Sequence, residues 1–92
     1  MPHTTAEIIS IGDEMITGAR LDTNTQWLSQ RLGELGVDVQ FHTTVADTLS
    51  HNTDVFRIAA RRADVVVATG GLGPTRDDLT REAIAESLGL PL

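Results

Sequence analysis

The chain contains no cysteine. Disulfides, thiolate metal centres and cysteine nucleophiles are excluded together. It contains no lysine either, and its seven basic residues are all arginines. That removes a Walker-type phosphate loop, a Schiff base and a lysine general base. No apolar run approaches the ~20 residues of a membrane-spanning helix, and the N-terminus lacks the basic-then-apolar order of a secretory signal. The formal net charge of -6 gives no electrostatic basis for holding nucleic acid or an anionic membrane surface. The expectation is a soluble, cytoplasmic protein with a small-molecule ligand. Any phosphate on that ligand must be held by backbone N–H groups, an arginine or a metal ion.

What is present is regular. Ninety-two residues suit one smallish domain that buries roughly 60–65% of its unfolded surface. Three strand-then-helix cycles fill almost all of it. The first predicted strand is Ala6 to Ile11, followed by a Gly12-Asp13-Glu14 turn and a loop to about Thr23. A helix from about Asn24 to Leu35 follows, with Thr23 and Gln26 as a capping box, Leu28, Leu32 and Leu35 at helical spacing, and Gly36 as the stop. The second strand, Val37 to Thr44, alternates: Val39 and Phe41 face one way, Asp38, Gln40 and His42 the other. The second helix covers about Leu49 to Arg62, with Val55, Ile58 and Ala59 inward and Arg61 and Arg62 at the negative end of its dipole. The third strand, Val65 to Thr69, is continuously apolar, as a strand buried on both faces should be. The third helix, Arg81 to Leu88, has Thr80 as N-cap and Leu79 and Ile84 as a hydrophobic staple.

Repeated β-α units of this length specify an α/β fold with three layers, α/β/α. The sheet is mainly parallel, and order 2-1-3 is favoured. That order leaves the apolar third strand at an open edge, an aggregation hazard unless it is covered. The chain is therefore expected to be the N-terminal part of one larger domain spanning residues 1–92 and beyond. A deleted segment, an unresolved one or a partner subunit would supply the missing strands, and a homo-oligomer is the expected state.

In such a sheet, ligands bind beyond the carboxyl ends of the strands where the strand order switches, here between the first and third. Gly12, Asp13 and Glu14 follow the first strand, Asp47 the second, and the run Thr69-Gly70-Gly71-Leu72-Gly73-Pro74-Thr75-Arg76-Asp77-Asp78 the third. The glycines let backbone N–H groups approach a phosphate closely; a plain strand-to-helix turn is the alternative. Asp77 and Asp78 would repel that phosphate unless a hard cation such as Mg²⁺ lies between them, with Arg76 offsetting part of the charge. Both aspartates could instead serve the dipole of the helix that follows. Asp47 reads equally as a site residue or a partner of the second helix; Asp13 and Glu14 read equally as site residues at the same rim or as part of a turn in which the aspartate is hydrogen-bonded. His3, His42 and His51 lack metal-ligand spacing, Trp27 reads as packing, and Ser10, Ser29, Ser50 and Ser87 have no nucleophile-elbow context.

The segments IISIGDEMITGARLDTNTQWLSQRLGELGVDV, TTVADT and VVVATGGLGPTRDDLTREAIAESLG resemble the molybdopterin-binding-like domain of the MoaB/MogA type. They resemble more closely the version that opens CinA-type competence/damage-inducible proteins. The resemblance implies a three-layer α/β/α domain of about 150 residues or more, of which this chain matches the first half or so. It implies a glycine motif that holds a pterin phosphate. It also implies aspartates at Asp47 and Asp78 that serve catalysis and Mg²⁺; on the residues alone, Asp47 or Asp77 would join Asp78 in holding the ion. In CinA-like proteins the matching domain is associated with metal-dependent hydrolysis of ADP-ribose; the adenylyltransferase branch acts on molybdopterin. The Gly12-Asp13-Glu14 turn departs from the serine-containing turn of the adenylyltransferases and leans away from that branch. Nothing here resembles the separate deamidase domain of CinA proteins. An inactive binding or assembly module is the remaining alternative.

Overall fold

The strand and helix signals become, in the computed structural model, a three-stranded parallel sheet with helices on both faces. The structure describes residues 4–18, 23–70 and Ala85. In chain order the elements are β1 (Thr5–Ile11), α1 (Asp13–Thr17), α2 (Thr23–Glu34), β2 (Asp38–Val45), α3 (Leu49–Arg62) and β3 (Val65–Thr69). The strand order is β2-β1-β3 with both pairings parallel, as expected. Of the predicted third helix, Ala85 alone is described, and it is helical and buried; the rest of that helix lies outside the described residues.

β1 is the centre of the molecule. Each residue from Ala6 to Ile11 is buried, and alternate side chains serve opposite faces. Ile9 and Ile11 meet Phe56 and Ala59 of α3 together with Val45 of β2. On the other face, Ser10 Oγ shares a 2.8 Å hydrogen bond with Thr25 Oγ1 of α2. The two helices therefore lie on opposite sides of the sheet, which gives the α/β/α layering.

α2 ends as its sequence specifies. Gly36 has φ of +83°; its N–H donates to the Gly33 carbonyl (3.0 Å) and the Val37 N–H to the Leu32 carbonyl (2.9 Å). That paired closure satisfies orphan carbonyls and needs a left-handed residue between them. β2 alternates exposed and half-buried residues from Asp38 to Thr43, as expected, and ends buried at Val45, with a register shift opposite Ala6 and Glu7.

Four expectations need correction. The Gly12-Asp13-Glu14 segment is no simple turn: Asp13 opens the short helix α1, because the Met15 N–H at 3.1 Å and the Ile16 N–H at 3.3 Å both return to the Gly12 carbonyl. Ile58 does not face inward and is 48% exposed; the buried stripe of α3 is Asn52, Thr53, Phe56 and Ala59, and Ile58 falls outside that arc. Trp27 is 59% exposed rather than packed in the core, and the Arg31 guanidinium sits 5.8 Å from its ring centroid, within cation–π range. β3 is apolar yet only half-buried, with Val65 exposed, because among the described residues it pairs on one side only.

One charge is buried inside this sheet. Glu7, with a side chain 1% exposed, takes Arg62 through both oxygens, Nε to Oε1 at 2.7 Å and Nη2 to Oε2 at 2.9 Å. Thr43 Oγ1 donates to Oε2 at 2.7 Å. The Arg62 guanidinium also lies 3.8 Å from the centroid of the Phe41 ring. The hydrogen bond from Arg62 holds the Glu7 carboxyl below its ordinary value, and Thr43 and the guanidinium charge add to this against the opposing effect of burial.

Because Glu7 is more acidic folded than unfolded, its contribution is fully present above the ordinary glutamate pKa of about 4.3 and is lost as pH falls through the lower folded value. The stability gap between the unmutated chain and Glu7→Gln should close over that acid range in chemical denaturation. Arg62→Leu alone should lower the melting temperature more than Glu7→Leu and Arg62→Leu combined, since the single change strands a buried carboxylate. A double variant less stable than the single would refute this account of the pair.

Candidate functional site

The carboxyl ends of all three strands lie along one rim and are tied together there. Gly12, directly after β1, donates its N–H to the carbonyl of Val45 at the end of β2, at 2.9 Å. Gly70, directly after β3, packs so tightly on β1 that a Cβ at its position would overlap the Ile11 carbonyl oxygen. Its φ of +83° also lies in the left-handed region. Gly70 is thus demanded twice, by conformation and by space.

Asp13 and Asp47 bind each other reciprocally. The Asp47 N–H donates to Asp13 Oδ1 at 3.0 Å and the Asp13 N–H donates to Asp47 Oδ2 at 3.3 Å. Asp13 is exposed and Asp47 half-buried. The sequence left Asp47 between site residue and partner of the second helix. In the structure Thr48 is the N-cap residue of α3 and makes no side-chain cap bond; the Asp47 carboxylate turns to the end of β1 instead. The N–H groups of Gly12 and Asp13 are both spent on protein acceptors, so any phosphate contact from these two residues uses other atoms. The Glu14 carboxylate lies over the Cα of Gly12.

Of the residues singled out in the sequence, the structure brings Gly12, Asp13, Glu14, Asp47, Thr69 and Gly70 to this rim. Gly71, Leu72, Gly73, Pro74, Thr75, Arg76, Asp77 and Asp78 lie outside the described residues. Among the described residues no group of three or more His, Cys, Asp or Glu side chains could hold a metal ion. The Asp13 and Asp47 carboxylates are hard oxygen donors suited to a divalent ion such as Mg²⁺, but a site needs further donors from elsewhere. His42 is exposed as expected, with Nε2 3.3 Å from Ser10 Oγ.

Asn52 was not anticipated. It is 0% exposed and its side-chain amide donates to the carbonyls of Ala46 and Thr48, both at 2.8 Å. Its sequence position shares the helical stripe of Phe56 and Ala59, but a polar residue on such a stripe carries no sign of its burial or its partners until the packing supplies them.

A family model described as a probable molybdopterin binding domain matches residues 7–92. The chain belongs to that family. Among its relatives, a CinA-like protein of Acidobacterium capsulatum is 52% identical over 95% of this chain and 21% of its own length. The crystal structure of CinA, of unknown function, from Thermoplasma acidophilum superposes with a TM-score of 0.88 at 36% identity, covering 95% of this chain and 52% of that one. The molybdopterin biosynthesis enzyme MoaB of Thermus thermophilus gives 0.76 at 29% identity, over 90% and 54%. This probable molybdopterin-binding domain thus spans about a fifth of the curated relative and about half of each solved chain. The three-layer fold with order β2-β1-β3 is that of these relatives. Among its described residues no helix is long and apolar enough to cross a membrane.

The rim geometry separates two kinds of glycine. Ala at Gly36 meets open space and should cost only the left-handed strain, about 1–2 kcal/mol. Gly70→Ala adds the overlap with Ile11 and should be destabilising by clearly more than Gly36→Ala in urea denaturation. Equal losses would show that β1 and β3 separate freely at this end.

Proposed function

We propose that this domain holds a nucleotide or pterin phosphate at the carboxyl rim. Within the longer proteins it resembles, we infer metal-dependent hydrolysis of a nucleotide pyrophosphate such as ADP-ribose. The observation that carries the reading is the meeting of the three strand ends on one rim, with Asp13 bound to Asp47 across the ends of β1 and β2 and Gly70 packed on Ile11 beside the β1–β3 switch point, the place where ligands of open α/β sheets bind. Asp47 and Asp78 are the proposed catalytic carboxylates, with Asp77 and Asp78 as metal ligands. The loop from Thr69 to Arg76 is the proposed phosphate cradle. A rim carrying Asp13, Glu14 and Asp47 on a chain of net charge -6 repels an anionic ligand, so a cation is needed to offset that repulsion. Mg²⁺ would supply this charge and polarise the phosphorus. The chain's own part is to hold the carboxylates at fixed positions and to let backbone approach the phosphate through glycine.

A second reading keeps the same cradle and changes the reaction to nucleotidyl or metal transfer on molybdopterin. Its support is the family description and the likeness to MoaB. Competition between molybdopterin and ADP-ribose for the chain decides between the two.

Thermal melts with and without ADP-ribose and Mg²⁺ test the leading reading. A ligand that binds only the folded state at 100 times its Kd adds about 2.7 kcal/mol, so the melt should rise with both present. Asp78→Ala should abolish that rise and any hydrolysis while leaving the ligand-free melt in place. Hydrolysis that survives Asp78→Ala, or a melt indifferent to the ligand, overturns it.

A further inference from the structure

Asp47 stands at the apex of a three-residue turn. The Thr48 N–H donates to the Ala46 carbonyl at 2.9 Å, the i-to-i+2 spacing of a γ-turn. That same carbonyl accepts one hydrogen of the Asn52 amide, and the Thr48 carbonyl accepts the other, each at 2.8 Å. Asn52 therefore straddles Asp47, with one bond to the residue before it and one to the residue after.

The direction of these bonds follows from the acceptors. Rotating the amide by half a turn would set Oδ1 against two carbonyl oxygens, none of which can donate. The side chain is fully buried, so the amide hydrogens have the two carbonyls rather than solvent as partners. Its Oδ1 meets no donor among the described residues, so both side-chain hydrogen bonds run through Nδ2. The mount is firm as well. Asn52 lies in the first turns of α3, and Phe56 and Ala59 further along the same stripe are in the core. Thr48 contributes no side-chain cap, and the Asn52 amide holds the loop-to-helix junction instead.

We propose that Asn52 is the positioning residue of the rim. Its buried amide fixes the Ala46–Thr48 turn, and that turn sets the Asp47 carboxylate against the Asp13 N–H at the end of β1. The role of Asp47 toward a ligand rests on the reading under Proposed function; the hold of Asn52 on the turn does not.

Nuclear magnetic resonance on the isotope-labelled chain tests the two separately. In the unmutated chain, couplings across hydrogen bonds should connect Asn52 Nδ2 to the carbonyl carbons of Ala46 and Thr48. In Asn52→Ala and Asn52→Asp, amide exchange at Asp13 and Asp47 should accelerate about tenfold or more while Ile8 and Ile9 keep their protection, as a local opening requires. Affinity for ADP-ribose with Mg²⁺ should fall roughly 10–100-fold in those variants, the loss typical when groups that orient ligand-holding side chains are removed. Missing couplings in the unmutated chain, or unchanged exchange at Asp13 and Asp47 in a folded variant, overturn the proposal. Should neither variant fold, the couplings decide. An unmutated chain that binds no ADP-ribose refutes the functional reading, and the couplings and exchange rates still decide for or against Asn52.

Discussion

β1 has neighbours on every side. β2 and β3 pair with its two edges, α2 and α3 cover its two faces, and every residue from Ala6 to Ile11 is buried. A strand so enclosed cannot shift register by one residue without exchanging its two faces, which would carry Ile9 and Ile11 away from Phe56 and Ala59. The rim is a consequence of this constraint. Because both pairings are parallel and in fixed register, Ile11, Val45 and Thr69 finish at the same end of the sheet, and the residues after them must meet.

The interior of the sheet is not wholly apolar. Glu7 occupies a position on the same face as Ile9 and Ile11, and it is accommodated only because Arg62 reaches it with a bidentate contact and Thr43 completes its shell. An unpaired carboxylate there would be prohibitively costly. Arg62 sits in the last turn of α3, where a cation is also favoured by the helix dipole. The pair thus joins the end of α3 to the start of the sheet, while Asn52 joins the beginning of α3 to the opposite rim. α3 is tied to the sheet at both ends by polar contacts and along its middle by apolar ones.

Much of this was legible in the chain. The strand and helix periods located five of the six elements to within a residue or two, since apolar spacing reports which face is covered. The α2 stop was legible because Gly36 and the residues beside it match a closure that needs a left-handed residue. The short helix α1 was not, because DEMIT has too few residues to show a period. The inward face of α3 was misjudged at Ile58 because hydrophobicity alone favoured it over Asn52. The convergence of Asp13 and Asp47 was expected from topology, though their mutual hydrogen bonds were not. Residues 34 apart in sequence carry no sign of their contact.

The sequence by itself determined the class of the fold, the strand order and the end of the sheet at which chemistry could lie, because those follow from local patterns and the right-handed rule for parallel crossovers. It also excluded whole classes of chemistry by lacking cysteine and lysine. Only the tertiary structure decided which polar groups are buried and whom they serve. Glu7 finds Arg62 across 55 residues, and Asn52 rather than Thr48 secures the turn around Asp47. Partners of that kind are chosen by three-dimensional packing and desolvation, which leave no period in the chain.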